Sequence, residues 1–424
     1  MSTSFAPHPP TVTGPAPSGG GRRRSRVLIG TDTYPPDVNG AAYFTARLVR
    51  GLTERGVDVH LVCPSPTGPP HVVERDGVVE HRLRSMPSLA HESVRLALPT
   101  GVRGHLNRLL DRLRPDAVHI QNHFLVGRML TGAACDHGVP VVATNHFMPE
   151  NLFDHLRMPW PLRPYAARLA WWDLNRILGR AEHVTTPTPT AARLLREQGF
   201  VHTVEAVSCG IDLDRFRPLP EDSEVDERRR LRARFGLPDR PTMLFVGRLD
   251  EEKRIDELVR AVARTSDVQL VLAGQGSHRE RSAELARSEG VADRVRFLGF
   301  VAHEDLPDVY RCADVFTIAG IAELQSIATL EAMASGLPVV AADAMALPHL
   351  VEEGRNGHLY EPGDPDGLAD RVESVVTSER NRARMGEHSR LMASRHRLED
   401  SLKRFERIYE DASVGAFASF SGGR

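Results

Sequence analysis

Glu323-Leu324-Gln325-Ser326-Ile327-Ala328-Thr329-Leu330-Glu331-Ala332-Met333-Ala334-Ser335-Gly336-Leu337-Pro338 reads as a loop, a short helix and the entry to a strand. Leu, Ala, Met and Glu favour the helix, Gly336 suits its stop, and Pro338 opens the next apolar run. A helix that starts near Ser326 or Ile327 points unpaired N–H groups outward, an arrangement suited to a diphosphate. Ser326, Ile327 and Ala328 are therefore candidate phosphate-side residues. Glu323 precedes the helix and Glu331 lies two turns along it. A carboxylate accepts from two vicinal hydroxyls, so one glutamate suits a hexose and the other a ribose. Taken alone, the same spacing also describes two glutamates that cap and solvate a surface helix.

Working outward, short β-branched runs alternate with helical patterns along the whole chain, the mark of parallel βαβ units. Val27–Ile29, Val59–Val62, Ala117–Ile120, Val141–Ala143 and His183–Thr186 form one series. Helical patterns such as Ala41–Leu52 and Phe124–Asp136 fall between them. After Pro218 the charged stretch Glu221–Arg230 reads as a linker. A second series follows at Met243–Val246, Val268–Leu272, Val295–Leu298, Val315–Ile318 and Val339–Ala341. The fold class is thus α/β, with two Rossmann-like domains facing a central cleft, and ligands are expected at the C-terminal strand ends. A dinucleotide cofactor is not expected: Gly30-Thr31-Asp32-Thr33-Tyr34-Pro35-Pro36 follows the first strand instead of G-x-G-x-x-G, and Gly274-Gln275-Gly276 is too short.

Other constellations lie beside the same strand ends. Val246-Gly247-Arg248-Leu249-Asp250-Glu251-Glu252-Lys253-Arg254 follows the first strand of the second series, so Arg248 and Lys253 can both reach the cleft. Two cations beside a helix start neutralise a diphosphate and stabilise a leaving group's growing charge. Lys253 is one of only two lysines among 424 residues. In the first half, Pro35-Pro36-Asp37-Val38-Asn39-Gly40 links strand to helix, and Gly40 allows a close approach of backbone to ligand. His146, in Ala143-Thr144-Asn145-His146-Phe147, directly follows a strand on the cleft side. The net charge of -2 gives no pull toward nucleic acid, and no apolar run is long enough to span a membrane. Cys63, Cys135, Cys209 and Cys312 form no C-x-x-C pair, which suits a reducing, cytoplasmic location.

Together these elements resemble the retaining glycosyltransferases of the GT-B fold, family four, over residues 26–411. The resemblance rests on the glutamate pair with its continuation, on G-R-x-x-x-E-K, and on Val207–Phe216, similar to the family's N-G-I-D-x-x-x-F loop. It implies that Glu323 holds the donor hexose, Glu331 the nucleotide ribose, Arg248 and Lys253 the diphosphate, and that His146 touches the donor sugar. Gly40 is implied close to the diphosphate. Transfer is implied to proceed by front-face displacement, with no metal and no cofactor. The family's E-G-F-G-L stands here as Glu323-Leu324-Gln325-Ser326-Ile327, a departure that removes both glycines and resembles glycolipid-forming members. Asp212-Leu213-Asp214 spells D-x-D but falls in the inter-domain loop, where turn formation is the expected role. Two other readings share the scaffold: a non-catalytic sugar-nucleotide sensor and a sugar-nucleotide epimerase.

The implied division of the chain is a disordered tail over 1–24, an acceptor-side domain over 25–218, and a nucleotide-sugar domain over 219–396. A helix over 397–412 is expected to return to the first domain, ahead of a flexible tail over 413–424. The donor is GDP-mannose, UDP-glucose or another UDP-hexose. The acceptor is either a membrane lipid, reached by peripheral contact with the inner face of the membrane, or a soluble hydroxyl compound. Residues 81–114 carry seven arginines against Glu92 and Asp111, with Leu89, Val94, Leu96 and Leu98 interleaved. Residues 153–180 carry five more against Asp154 and Asp173, together with Trp160, Trp171 and Trp172. Arg with Trp suits a headgroup boundary. The spacing of Leu162, Tyr165, Leu169 and Trp172 also fits one buried helix face, the competing reading.

Overall fold

The computed structural model describes residues 24–88, 95–149 and 158–421. Nearly all of the expected N-terminal tail lies outside the described residues, as do Leu89, Glu92, Val94 and Asp154 of the arginine-rich stretches. Every apolar run named above overlaps a strand. The first sheet runs in the order Val204–Ala206, His183–Thr186, Val141–Thr144, Ala117–Ile120, Arg26–Gly30, Asp58–Pro64, Val78–Leu83, His71–Arg75. The second runs Val295–Gly299, Gln269–Ala273, Thr242–Val246, Val315–Ile318, Val339–Ala342, Gly357–Tyr360. All pairs are parallel except His71–Arg75 on Val78–Leu83. Helices cover both faces, and the central strands are buried throughout, which explains their continuous apolar character.

In each sheet the order reverses once, between Arg26–Gly30 and Ala117–Ile120 and between Thr242–Val246 and Val315–Ile318. Chains leaving two such neighbours diverge to opposite faces and open a crevice at the strand ends. The two domains are tied where the chain crosses between them. Ile211 N–H donates to His396 O at 2.7 Å, and Leu398 N–H donates to Ile211 O at 3.0 Å. Gly210 has φ +73°, and a Cβ there would stand 2.8 Å from Leu398 Cα, so this crossing requires glycine. Beyond it, Leu402, Phe405, Ile408 and Tyr409 bury against Val27, Phe44 and Leu48 of the first domain.

Three expectations are corrected. The charged stretch read as a linker forms the helix Glu224–Arg234. Its acids Glu224, Asp226 and Glu227 fill the first turn and Arg232 and Arg234 the last, matching the helix dipole. Arg232 is buried and bonds Asp314 at 2.6 Å, which fastens this helix to the second domain. The closing helix runs from Leu398 to Ser421 rather than ending near 412, since extending a nucleated helix fixes one residue per new bond. Leu162, Tyr165, Leu169 and Trp172 are 56, 76, 64 and 59% exposed, so they are not a core face. The helix Arg163–Leu178 instead buries Trp171, Leu174, Ile177 and Leu178.

The first-domain core and the crossing hold histidines in neutral form. Burial pushes His81 and His119 down to about 3, and His123, His146 and His396 down to about 4. Each folded pKa lies below the ordinary value near 6.5, so below that pH the unfolded chain binds more protons. Stability present above about pH 6.5 is therefore lost as pH falls toward about 4. Asp32, raised to about 6 by burial, and Asp37, also raised by burial, act in the opposite sense but are fewer than the histidines. The melting temperature should fall steeply from about pH 6.5 to about pH 4.5. A flat profile over that range contradicts the neutral-histidine core.

Candidate active site

The helix Ile327–Ala334 starts beside the reversal point of the second sheet. Ser326 caps it, its Oγ accepting from Thr329 N–H at 3.1 Å, so the expected helix start is observed. The preceding loop carries Glu323 against the turn that follows Thr242–Val246. Lys253 Nζ donates to Glu323 Oε1 at 2.6 Å and lies 3.3 Å from Glu252 Oε1. Arg248 continues the chain of charges, with Nη2 2.9 Å from Glu252 Oε1 and Nη1 2.8 Å from Asp250 Oδ2. Burial pulls the Lys253 pKa down, but Glu323 and Glu252 outweigh burial and hold the pKa above the ordinary value. The Lys253 ammonium therefore stays charged against the loop that leads into the helix.

Glycines make this contact possible. A Cβ at Gly320 would come within 3.1 Å of Glu323 Oε1 and 3.6 Å of Lys253 Cδ. Gly274 and Gly276, too short for a cofactor motif, pack the Arg248 turn instead. A Cβ at either would strike Gly247 O at 1.8 Å or Leu249 O at 2.4 Å. Gln325, where the family pattern has another residue, reaches the inter-domain crossing. Its Oε1 accepts from Cys209 N–H at 2.7 Å, and its Nε2 donates to Ser208 Oγ at 3.1 Å. Leu324 O accepts from Thr188 Oγ at 2.8 Å, so the donor loop is bonded to the first domain at two places.

Glu331 sits apart from this cluster, 4% exposed. Tyr310 OH donates to its Oε2 at 2.9 Å, and Arg47 of the first domain forms an ion pair with its Oε1. Neither partner was anticipated from the sequence. Arg47 lies seven residues past Gly40 on the helix Gly40–Glu54, hence on the same face, which is the signal that could have found it. At that helix start Asn39 Oδ1 accepts from Ala42 N–H at 2.9 Å, and a Cβ at Gly40 would meet nothing within 4 Å. Gly40 thus exposes backbone to open space. His146 packs on Phe44 with ring centroids 4.6 Å apart and bonds Gln121 Oε1 at 3.1 Å through Nε2. An amide oxygen only accepts, so Nε2 carries the proton, and burial keeps the ring neutral with a pKa of about 4. His146 can therefore contact a ligand but is a poor proton acceptor at neutral pH.

Asp212 forms the expected turn, its Oδ1 accepting from Asp214 N–H at 3.0 Å and Arg215 N–H at 2.9 Å. A switch-point crevice lined by charged lysine and arginine, a helix start and two buried-side glutamates can bind a sugar attached to a diphosphate. Glu323→Gln should abolish transfer with little change in melting temperature. Glu331→Gln should weaken nucleotide binding about tenfold to a hundredfold, the effect of removing one charged acceptor. Wild-type turnover by the Glu323 variant would contradict its assignment to the donor.

Comparison with known proteins identifies the family and the fold. Residues 38–215 match the family described as Glycosyltransferase Family 4, and residues 227–392 match Glycosyl transferases group 1. A GDP-mannose-dependent alpha-mannosyltransferase of Mycobacterium tuberculosis is 30% identical over 351 residues, 81% of this chain and 87% of that protein. Alpha-monoglucosyldiacylglycerol synthase of Streptococcus pneumoniae is 28% identical, covering 79% of this chain and 75% of its own length. The solved sucrose-phosphate synthase of Thermosynechococcus elongatus superposes with a TM-score of 0.77 at 20% identity, over 92% of this chain and 100% of that one, and shares the fold. The chain belongs to the family 4, group 1 glycosyltransferases, and it is a hexosyltransferase with the GT-B fold.

Proposed function

We propose that the chain moves a hexose from a nucleotide-diphosphate sugar to a hydroxyl of a membrane lipid, with retention at the anomeric carbon and without a metal. The observation that carries the donor half is the continuous charge chain Glu323–Lys253–Glu252–Arg248 at the start of the Ile327–Ala334 helix. When a diphosphate enters, Lys253 and Arg248 exchange carboxylate partners for phosphate oxygens. The acceptor oxygen then bonds the anomeric carbon from the face on which the phosphate leaves. The bond from that carbon to the phosphate oxygen breaks, and the departing oxygen takes the acceptor's proton. Two fixed cations and helix N–H groups stabilise the charge that develops, the role a metal plays elsewhere. The name of the mycobacterial relative favours GDP-mannose as donor; UDP-glucose is the second choice.

The lipid half is supported by the helix Arg163–Leu178. Its exposed stripe of Leu162, Tyr165, Leu169 and Trp172 is flanked by Arg168 and Arg176. The Arg176 guanidinium lies 5.4 Å from the Trp172 ring centre. The same helix borders a surface groove of about 730 Å³ lined by Trp171, Asn175 and Gln198. Apolar rings with cations suit an anionic headgroup layer, to which each basic residue adds about 1 kcal/mol. Among the described residues no helix is long and apolar enough to cross a membrane. The chain is accordingly proposed to bind peripherally from the cytoplasmic side.

A panel of sugar nucleotides, assayed with and without anionic vesicles and with and without EDTA, tests both halves. One donor should be turned over, EDTA should leave its rate unchanged, and vesicles should supply the glycosylated product. Co-sedimentation should occur at low salt and weaken at high salt. A strict need for Mg²⁺ or Mn²⁺, restored on adding it back, contradicts the metal-free mechanism. Robust transfer to a soluble acceptor without vesicle binding contradicts the lipid assignment alone.

A further inference from the structure

The two glutamates of the donor site differ in what holds them. Glu323 is paired within its own domain, whereas Glu331 is paired across the interface. Arg47 projects from the helix Gly40–Glu54 of the first domain onto Glu331 Oε1, and its Nη1 lies 3.4 Å from Gly210 O at the inter-domain crossing. Tyr310, from the helix Leu306–Arg311, donates to Oε2 at 2.9 Å. A carboxylate has about four acceptor directions, two on each oxygen. Arg47 and Tyr310 take one apiece and leave one on each oxygen, which matches the two vicinal hydroxyls of a ribose.

We propose that Arg47 is a positioning residue of the nucleotide site, supplied by the opposite domain, which holds the Glu331 carboxylate turned toward the ribose. The proposal rests on reading Glu331 as the ribose carboxylate. At 4% exposure, a carboxylate without a cation partner is costly, and without Arg47 nothing among the described residues of the first domain fixes its orientation. The other groups around it do not replace Arg47. Tyr43 shares its helix and is neutral, Tyr310 is held far above its ordinary pKa by burial and by Glu331, and both lack a charge to offer. Arg215 feels the Glu331 charge from the crossing loop, but its guanidinium is engaged with His303. Arg50, one turn past Arg47, acts on Arg215 and His303 from further out. Nucleotide affinity therefore depends on the first domain through Arg47 as well as on the second through Glu331.

Isothermal titration of the full chain with GDP and with UDP tests this. Arg47→Ala should bind the preferred nucleotide about tenfold more weakly than wild type. Arg47→Lys, which keeps the charge, should recover most of the loss. In the Glu331→Gln background Arg47→Ala should cost nothing further. Arg47→Gln, neutral but of similar length, serves if the alanine variant does not fold. Affinity equal to or tighter than wild type in the neutral variants overturns the proposal and makes the ion pair a competitor of the ribose. Unchanged nucleotide binding by Glu331→Gln overturns it together with the ribose assignment beneath it.

Discussion

The Lys253–Glu323 ion pair joins the turn after one central strand to the loop after its neighbour, at the point where strand order reverses. Most of the donor site depends on that closure. It sets the loop ahead of the Ile327–Ala334 helix, and it helps to hold the Lys253 pKa up against the desolvation that pulls it down. It also explains glycines that have no catalytic role of their own. Gly320 stands where a side chain would crowd Glu323 and Lys253, and Gly274 and Gly276 where one would strike the backbone of the Arg248 turn. In the proposed mechanism an arriving diphosphate takes over cations that Glu323, Glu252 and Asp250 already hold in place.

A second set of contacts binds this loop to the first domain. Gln325 bonds the crossing at Cys209, Leu324 accepts from Thr188, and Ile327 packs against the first-domain core. The Gln325 side chain and the Leu324 carbonyl thus fix the loop to the first domain, while Ser326 caps its helix. The crossing itself is narrow: Gly210 lies against Leu398, and Ile211 is bonded on both sides to the returning chain at His396 and Leu398.

Much of this was legible in the sequence because its signals are local. Arg248, Lys253, Glu323 and the Ser326 cap each sit within a few residues of a strand end, where chain direction alone places them in the crevice. Arg47 was not legible as a partner of Glu331, because 284 residues separate them and only the packing of two domains brings them together. The stripe Leu162, Tyr165, Leu169, Trp172 shows a different limit. Periodicity tells which residues share a helix face, not whether that face meets core or solvent, and here Trp171 is buried while Trp172 is exposed. The antiparallel edge pair ending at Arg75 and starting at Val78 had a clear signal that the reading passed over. Asp76 and Gly77 turn with φ of 50° and 77°, the signature of a tight Asp-Gly hairpin.

The account stands on one claim, that a nucleotide-diphosphate sugar is held at the start of the Ile327–Ala334 helix by the residues around Glu323. Hydrogen exchange of the backbone amides, followed with and without GDP-mannose or UDP-glucose, addresses it most directly. The account predicts slowed exchange at Ser326–Thr329 and in the Gly247–Lys253 turn, with a smaller effect near Gly40. Slowed exchange confined to other segments, with these amides unchanged at saturating donor, would contradict it.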